Sequence, residues 1–470
     1  MSGDWSSGLD LFLDLDRRRG LRAGIEHAMR EAVRDGRLAP GAALPSSRSL
    51  ARDLAVARGT VSAAYGQLAA EGYLEIRQGT PARVSRHNPR LLAQPARSPG
   101  PADPAGHFRW DLRPGRPEST SFPRTEWLRA CRQAIAHAPG DAFGYGDSSG
   151  SPRLRSVLTD YLGRARGVDT HPEHLLVCSG FTQALTLVCR MLVMAGKTSM
   201  AVEDPCAPRY RRIISAAGLR VVPVPVDDDG LVVAELERCD AAAVLVTSAH
   251  QFPLGVTMTA ARRTALVEWA RRRDALIVED DYDGEFRYDR QPLGALQRLD
   301  PDRVIYAGTA SKTLAPGLRL GWLSAPAVVR DVLAVAKDET DRGTGIADQL
   351  AFAEFIACGA FDRHVRRMRT RYRRRRDALA QVVSESRPDL RLAGIAAGLH
   401  AVLHMPEGKP AEDYIQAQAA ERSIALHTLG EYWQVPPRPA STAIIIGYAA
   451  PASHAYRPAL DALASLLTAL

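Results

Sequence analysis

Between Leu21 and Gly36 the apolar residues Leu21, Ile25, Ala28, Met29, Ala32 and Val33 recur at helical spacing, which predicts an amphipathic helix stopped by Gly36. A second, shorter helix is predicted from Ser46 and Ser47, both good N-caps, through Leu50 and Leu54. After a turn at 55–57, a third carries Val61, Ala64, Tyr65 and Leu68 inward and ends near Gly72. Tyr73-Leu74-Glu75-Ile76, a turn at Gln78-Gly79-Thr80-Pro81, and Arg83-Val84 then read as a small β-hairpin.

The periodicity stops near residue 86. Residues 86–117 hold seven prolines and little apolar repeat, the pattern of a semi-extended linker. Beyond it, apolar strand-like runs (HLLVCSG, TSMAVEDP, AAAVLVTSA, ALIVEDD, RVIYAGTAS) alternate with helical ones. That rhythm predicts a mostly parallel sheet covered by helices on both faces. The last stretch, about 375–470, reads as a smaller α/β subdomain. The expected organisation is therefore a helical head over 10–85, a linker over 86–117 and an α/β domain over 118–470.

A chain of 470 residues exceeds one ordinary core, and 46% hydrophobic with 24% charged residues is a soluble globular composition. No apolar run reaches the roughly 18 residues of a membrane helix. The opening MSGDWSSGLDLFLDLD is acidic and lacks the basic-then-apolar order of a signal peptide, so a cytoplasmic protein is expected. Six scattered cysteines without a C-x-x-C pair imply neither a disulfide framework nor a structural zinc site. The net charge of +8, almost all arginine, fits a polyanionic partner, although a GC-rich genome also drives arginine usage.

Two short helices, a tight turn and a β-wing match the helix-turn-helix plan, whose second helix enters the major groove. Arg58, Gly59 and Thr60 lie exposed at its start. A guanidinium there can reach guanine edges or phosphate, and Thr60 can bond a phosphate oxygen. Arg48 is a second phosphate candidate, and the wing tip Gln78-Gly79-Thr80, with Arg83 nearby, is small enough for a minor groove. By spacing alone, a three-helix bundle with solvating arginines would look similar. The string LPSSRSLARDLAVARGTVSAAYGQLAAEGYLEIRQGTPARV, however, resembles a GntR-type winged helix along its length. The resemblance implies DNA contacts at Arg48, Arg58, Thr60 and Gly79, while the wing departs from the commoner G-S-G-T-F form.

Lys312 follows the strand-like VIYAG in GTASKTLAPGLRLG. A partly desolvated lysine at a strand end can condense with an aldehyde cofactor. Asp280 ends the strand ALIVED and can pair with a pyridinium nitrogen; Tyr282, two residues on, could bond the ring's phenolic oxygen. In CSGFTQAL, a strand-to-helix turn, the N–H groups of Phe181 and Thr182 can hold a phosphate, with Arg319, Thr309 and Ser311 completing the cradle. Singly, each feature has a bland reading, since an aspartate at a strand end is often an N-cap.

In chain order they are more specific. YGDSSGSPRLR, CSGFTQAL, VEDPCAP, TSAHQFPLGVTM, IVEDDYDGEFRYDRQPLGAL, YAGTASKTLAPGLRLGWL and AGLH resemble fold-type I aminotransferases, and with the head the chain resembles the MocR subfamily of GntR regulators. The resemblance implies a fold-type I pyridoxal-phosphate transferase fold. It gives the cofactor aldehyde to Lys312, the ring nitrogen to Asp280 and O3′ to Tyr282, and puts His250 in a loop bordering the ring. It also implies a head-to-tail homodimer acting on double-stranded DNA.

Two departures bear on the ligand. The family's E-D-P-G-Y-P reads Glu203-Asp204-Pro205-Cys206-Ala207-Pro208 here, without the tyrosine near the ring. Its L-S-R-Y, whose arginine clamps a ligand carboxylate, reads Leu429-Gly430-Glu431-Tyr432, so an anionic amino acid is expected to be repelled. The effector is then either pyridoxal phosphate itself, as in PdxR-like members that control vitamin B6 synthesis, or an amine held by Glu431 or Arg209. A shifted alignment, with Glu431 facing solvent, is the plain alternative. A working aminotransferase with an ornamental head is the competing function. Finally, Arg363–Arg376 holds nine arginines in fourteen residues, by default a solvated helix face and alternatively an auxiliary contact for DNA or phosphate.

Overall fold

The computed structural model describes residues 20–86, 108–288, 293–390, 392–406, 410–437 and 442–470, in two compact units divided between Asp103 and Pro104. The first unit has helices α1 (Leu21–Arg34), α2 (Ser47–Asp53) and α3 (Arg58–Ala70), then strands β1 (Leu74–Glu75) and β2 (Arg83–Val84). The strands are antiparallel, with Leu74 opposite Val84. Ile25, Met29, Leu50, Val61, Leu68 and Val84 form the core that the helical spacing predicted. Leu21, expected inward, is exposed, because it is the first helical residue and packing begins one turn later at Ile25. Ser46 caps α2 by accepting the Ser49 N–H at 3.1 Å.

The second unit is built on an eight-stranded sheet. In chain order its strands, after the short β3 (Trp110–Asp111) that stands outside it, are β4 (Leu175–Cys178), β5 (Ser199–Asp204), β6 (Arg220–Asp227), β7 (Gly230–Leu231), β8 (Ala243–Val246), β9 (Leu276–Asp281), β10 (Val304–Thr309) and β11 (Gly321–Ser324). Their order across the sheet is β4-β11-β10-β9-β8-β5-β6-β7. The five strands from β10 to β6 are parallel, and β11 runs antiparallel to both of its neighbours. Every residue of β4, β5, β8, β9 and β10 is buried, as a sheet covered on both faces requires.

A long helix, Ala360–Ser386, leads into the smaller subdomain, a four-stranded antiparallel sheet over Leu392–Ala393, His400–His404, Ala443–Gly447 and His427–Thr428. The linker expected over 86–117 ends earlier than its proline content implied; residues 87–107 lie outside the described residues. Trp110–Asp111 pair in parallel with Ile424–Ala425, and Leu112 is fully buried between the Ala425 carbonyl and the Gly447 N–H. The apolar alternation of Trp110 and Leu112 is enough to add a strand to an open edge. No described helix is long and apolar enough to cross a membrane.

Candidate functional site

A cavity of about 740 Å³ opens at the carboxyl ends of β4, β9 and β10, where a doubly wound sheet ordinarily takes its ligand. Strand alternation sorts the acids at the end of β9. Asp281 turns to the far side, where Arg166 grips it bidentately at 2.6 and 2.9 Å and Tyr306 donates to it at 2.8 Å. Asp280 faces the cavity. Its Oδ2 accepts the Tyr210 hydroxyl at 2.6 Å, while the buried Oδ1 has no hydrogen-bond partner among the described residues. Burial pushes its carboxyl up to about 7, against the pull of Tyr210 and Lys312.

Lys312 lies across the same cavity and donates to the carbonyl of Gly115. Burial lowers its ammonium pKa, so the amine gives up its proton more easily than a surface lysine. Phe181 and Thr182 open the helix Phe181–Met194, and their N–H groups, in its first turn, have no helical acceptor. The helix start comes close to β11 because both approaching residues are glycines: a Cβ on Gly321 would stand 2.9 Å from the Gly180 Cα. Thr309, Ser311 and Arg319 line the same end of the cavity, with Arg319 at a left-handed φ of 53°. Strain of that kind gathers where a side chain must be aimed.

Tyr282 also lines the cavity and donates to the His250 carbonyl at 3.2 Å. His250 itself is not among the lining residues. Its Nδ1 sits 2.9 Å from Asp283, and its ring packs on Tyr282 and His400, one layer behind the site. The loop that holds His250 reaches the cavity through Phe252, while His250 itself lies behind it against Asp283.

The aromatic missing from Cys206-Ala207-Pro208 is supplied from nearby. Tyr210 enters the cavity from the first turn of the helix Pro208–Ala216 and meets Phe181 edge-on, with ring centroids 5.2 Å apart. The motif places the aromatic at 207 alone, so sequence reasoning passes over Tyr210. Arg116 is missed as well because it falls in the proline-rich stretch; it lines the cavity and pairs with Asp111 at 3.0 Å. Arg212 is also missed, and lies one helical turn from Arg209.

Glu431 lines the mouth of the cavity, but its carboxylate is engaged. It closes a capping box with Thr428, accepts from Gln416 at 3.0 Å and stands 3.2 Å from His427 Nδ1. The lining also holds Arg116, Arg209, Arg212, Lys312 and Arg319 against Asp280 and Glu431. Cationic side chains therefore predominate around Glu431 in the cavity. An unpaired carboxylate oxygen, a desolvated lysine and an arginine at a glycine-lined helix start together suit a protonated ring nitrogen, an aldehyde and a phosphate.

In the first unit Arg48, Arg58, Gly59, Gln78 and Gly79 are exposed and Thr60 is half-buried. Arg58 reaches back to Ser47 Oγ at 3.4 Å, and Gly79 has a φ of 81° at the hairpin tip. Added bulk at Gly59 would meet nothing within 4 Å, so the N-terminus of α3 is open to a partner.

Fold and sites define a winged-helix head joined to an aminotransferase-type domain. The model of the gntR family of bacterial regulatory proteins matches residues 21–84, and that of aminotransferase class I and II matches residues 116–439. The HTH-type pyridoxine biosynthesis transcriptional regulator PdxR of Corynebacterium glutamicum is 37% identical, over 87% of this chain and 88% of its own length. The "Probable rhizopine catabolism regulatory protein MocR" of Rhizobium meliloti is 32% identical, over 98% of this chain and 96% of its own. Pyrococcus horikoshii kynurenine aminotransferase shares the fold, with a TM-score of 0.68 at 24% identity over 77% of this chain and 91% of its own. The chain belongs to the MocR-type GntR transcription regulators. Pyridoxal phosphate is the cofactor that this fold implies for the cavity.

Proposed function

We propose that the chain senses pyridoxal phosphate as its effector and controls vitamin B6 synthesis from DNA held by its head. The observation that carries the reading is the pairing, in one cationic cavity, of the desolvated Lys312 with the unpartnered Oδ1 of Asp280. Bound there, the cofactor supplies an aldehyde and an electron-withdrawing ring. Lys312 is the amine that meets the aldehyde, Asp280 holds the ring-nitrogen proton, and Tyr282 stands at O3′. Phe181, Thr182, Thr309, Ser311 and Arg319 hold the phosphate. Arg48, Arg58, Gly59, Thr60, Gln78 and Gly79 carry the DNA contacts, with α3 in the major groove. The relative named for pyridoxine biosynthesis supports this choice of effector. The molecule acts in the cytoplasm as a head-to-tail homodimer, in which cofactor binding favours one arrangement of the paired heads over another.

A second reading has a specific observation behind it. Arg209 and Arg212 line the cavity without a hydrogen-bond or ion-pair partner among the described residues, which favours an additional ligand with a carboxylate, such as an amino acid. An active aminotransferase would use the same pocket. One experiment separates these. DNA affinity is measured with pyridoxal phosphate alone, with an added panel of amines and amino acids, and in Lys312→Ala. A shift produced by the cofactor alone and lost in Lys312→Ala supports the first reading; a shift that requires the second ligand replaces it. Steady turnover of an amino donor with a 2-oxo acid would establish the enzyme.

A further inference from the structure

The outward face of the long helix Ala360–Ser386 has no part in either site. Inward, the helix buries Phe361, Val365, Met368, Tyr372 and Leu379. Arg363, Arg366, Arg367, Thr370, Arg373 and Arg374 are exposed at three- and four-residue spacing, which makes them one stripe about 16 Å long. Several neighbouring arginines are occupied structurally. Arg369 donates to the Glu285 carbonyl, Arg371 and Arg375 pair with Glu118, and Arg363 donates to the Cys358 carbonyl. The guanidinium groups of Arg366, Arg373 and Arg374 have no hydrogen bond or ion pair among the described residues; the Arg366 carbonyl accepts from the Thr370 hydroxyl. No acidic residue lies between 363 and 376; Asp362 is taken by Arg164, and Asp377 borders the stripe at its far end.

We propose that this stripe is a sequence-independent contact for the phosphate backbone of duplex DNA, made by Arg366, Arg373 and Arg374. The inference rests on the head's DNA binding only for the nearness of the polyanion: a duplex held by the head is present at high effective concentration for the rest of the same chain. Like charges three and four residues apart weaken a helix, and a row of phosphates removes that repulsion. A solvated helix face would ordinarily intersperse acids, and this one does not. Guanidinium is the side chain best matched to phosphate, and the stripe carries no exposed aromatic on which single-stranded bases could stack.

The test is the salt dependence of binding of the full chain to a 60-base-pair mixed-sequence duplex (about six turns, long enough to reach beyond the head). Replacing Arg366, Arg373 and Arg374 together with Gln is expected to lower the slope of log K against log salt by about 0.9 for each phosphate no longer neutralised. Replacing all three with Lys is expected to restore it. An unchanged slope in the Gln variant overturns the proposal, as does an equal fall in slope on a single strand of the same length. Should the triple variant melt early, Arg373→Gln alone reads one phosphate, about 0.9 in slope. Arg58→Ala in the head is run beside it. Failure of the head removes affinity in that variant and leaves the increment from the stripe measurable, so the two ideas fail separately.

Discussion

The Tyr210 hydroxyl lies 2.6 Å from Asp280 Oδ2, on a carboxylate whose other oxygen is buried without a hydrogen-bond partner among the described residues. One oxygen is thereby fixed, and the other is the one that the proposed function gives to the ring nitrogen. Tyr210→Phe keeps the ring packing on Phe181 and removes only the donor. Leaving a buried acceptor short of one bond costs about 1–3 kcal/mol. Pyridoxal phosphate is expected to bind roughly 5- to 150-fold more weakly, read by fluorescence titration. Unchanged affinity would mean that Tyr210 does nothing for the carboxylate.

The raised pKa of Asp280 makes a prediction about the cofactor-free protein. Its carboxyl titrates near 7 when folded and at the ordinary aspartate value when unfolded, so the folded state holds the proton more tightly. The neutral acid thus favours the fold at low pH, and that contribution is lost as the pH rises through about 7. Asp280→Asn should therefore raise the Tm of the cofactor-free protein at pH 8, with the gain shrinking to nothing by about pH 4. Equal shifts at both pH values would show that the substitution acts through packing instead.

Much of the site is legible in the sequence, and the exceptions share a cause. Lys312, Asp280, Tyr282, Phe181, Thr182 and Arg319 sit at strand or helix ends, where chain order alone brings them to one edge of the sheet. Tyr210 and Arg116 cannot be read in that way. Tyr210 depends on which face the first helical turn after Pro208 presents, and Arg116 on a strand pairing with residues more than 300 positions away. The contact of His250 with Asp283 likewise comes from the packed layer and not from a local pattern. Local patterns carry elements well and long-range partners poorly.

Leu112 tests the packed end of the linker. Its side chain is fully buried among the small subdomain's apolar residues, and its backbone bonds on both sides. Leu112→Ala should lower stability by about 2–5 kcal/mol, the range for a buried leucine. Urea unfolding followed by tryptophan fluorescence would register it. A loss under about 0.5 kcal/mol, typical of a surface position, would return the segment to the linker.

Glu431 separates a structural carboxylate from one that reads the effector. Its oxygens serve the Thr428 capping box, Gln416 and His427. Glu431→Ala should lower stability by about 0.5–2 kcal/mol, as the loss of a cap does, and leave the DNA response to pyridoxal phosphate within about twofold, less than about 0.5 kcal/mol. If the response vanishes while the Tm holds, the carboxylate reads the ligand. The amine alternative, in which Glu431 grips the effector's cation, would then become the better account of the pocket.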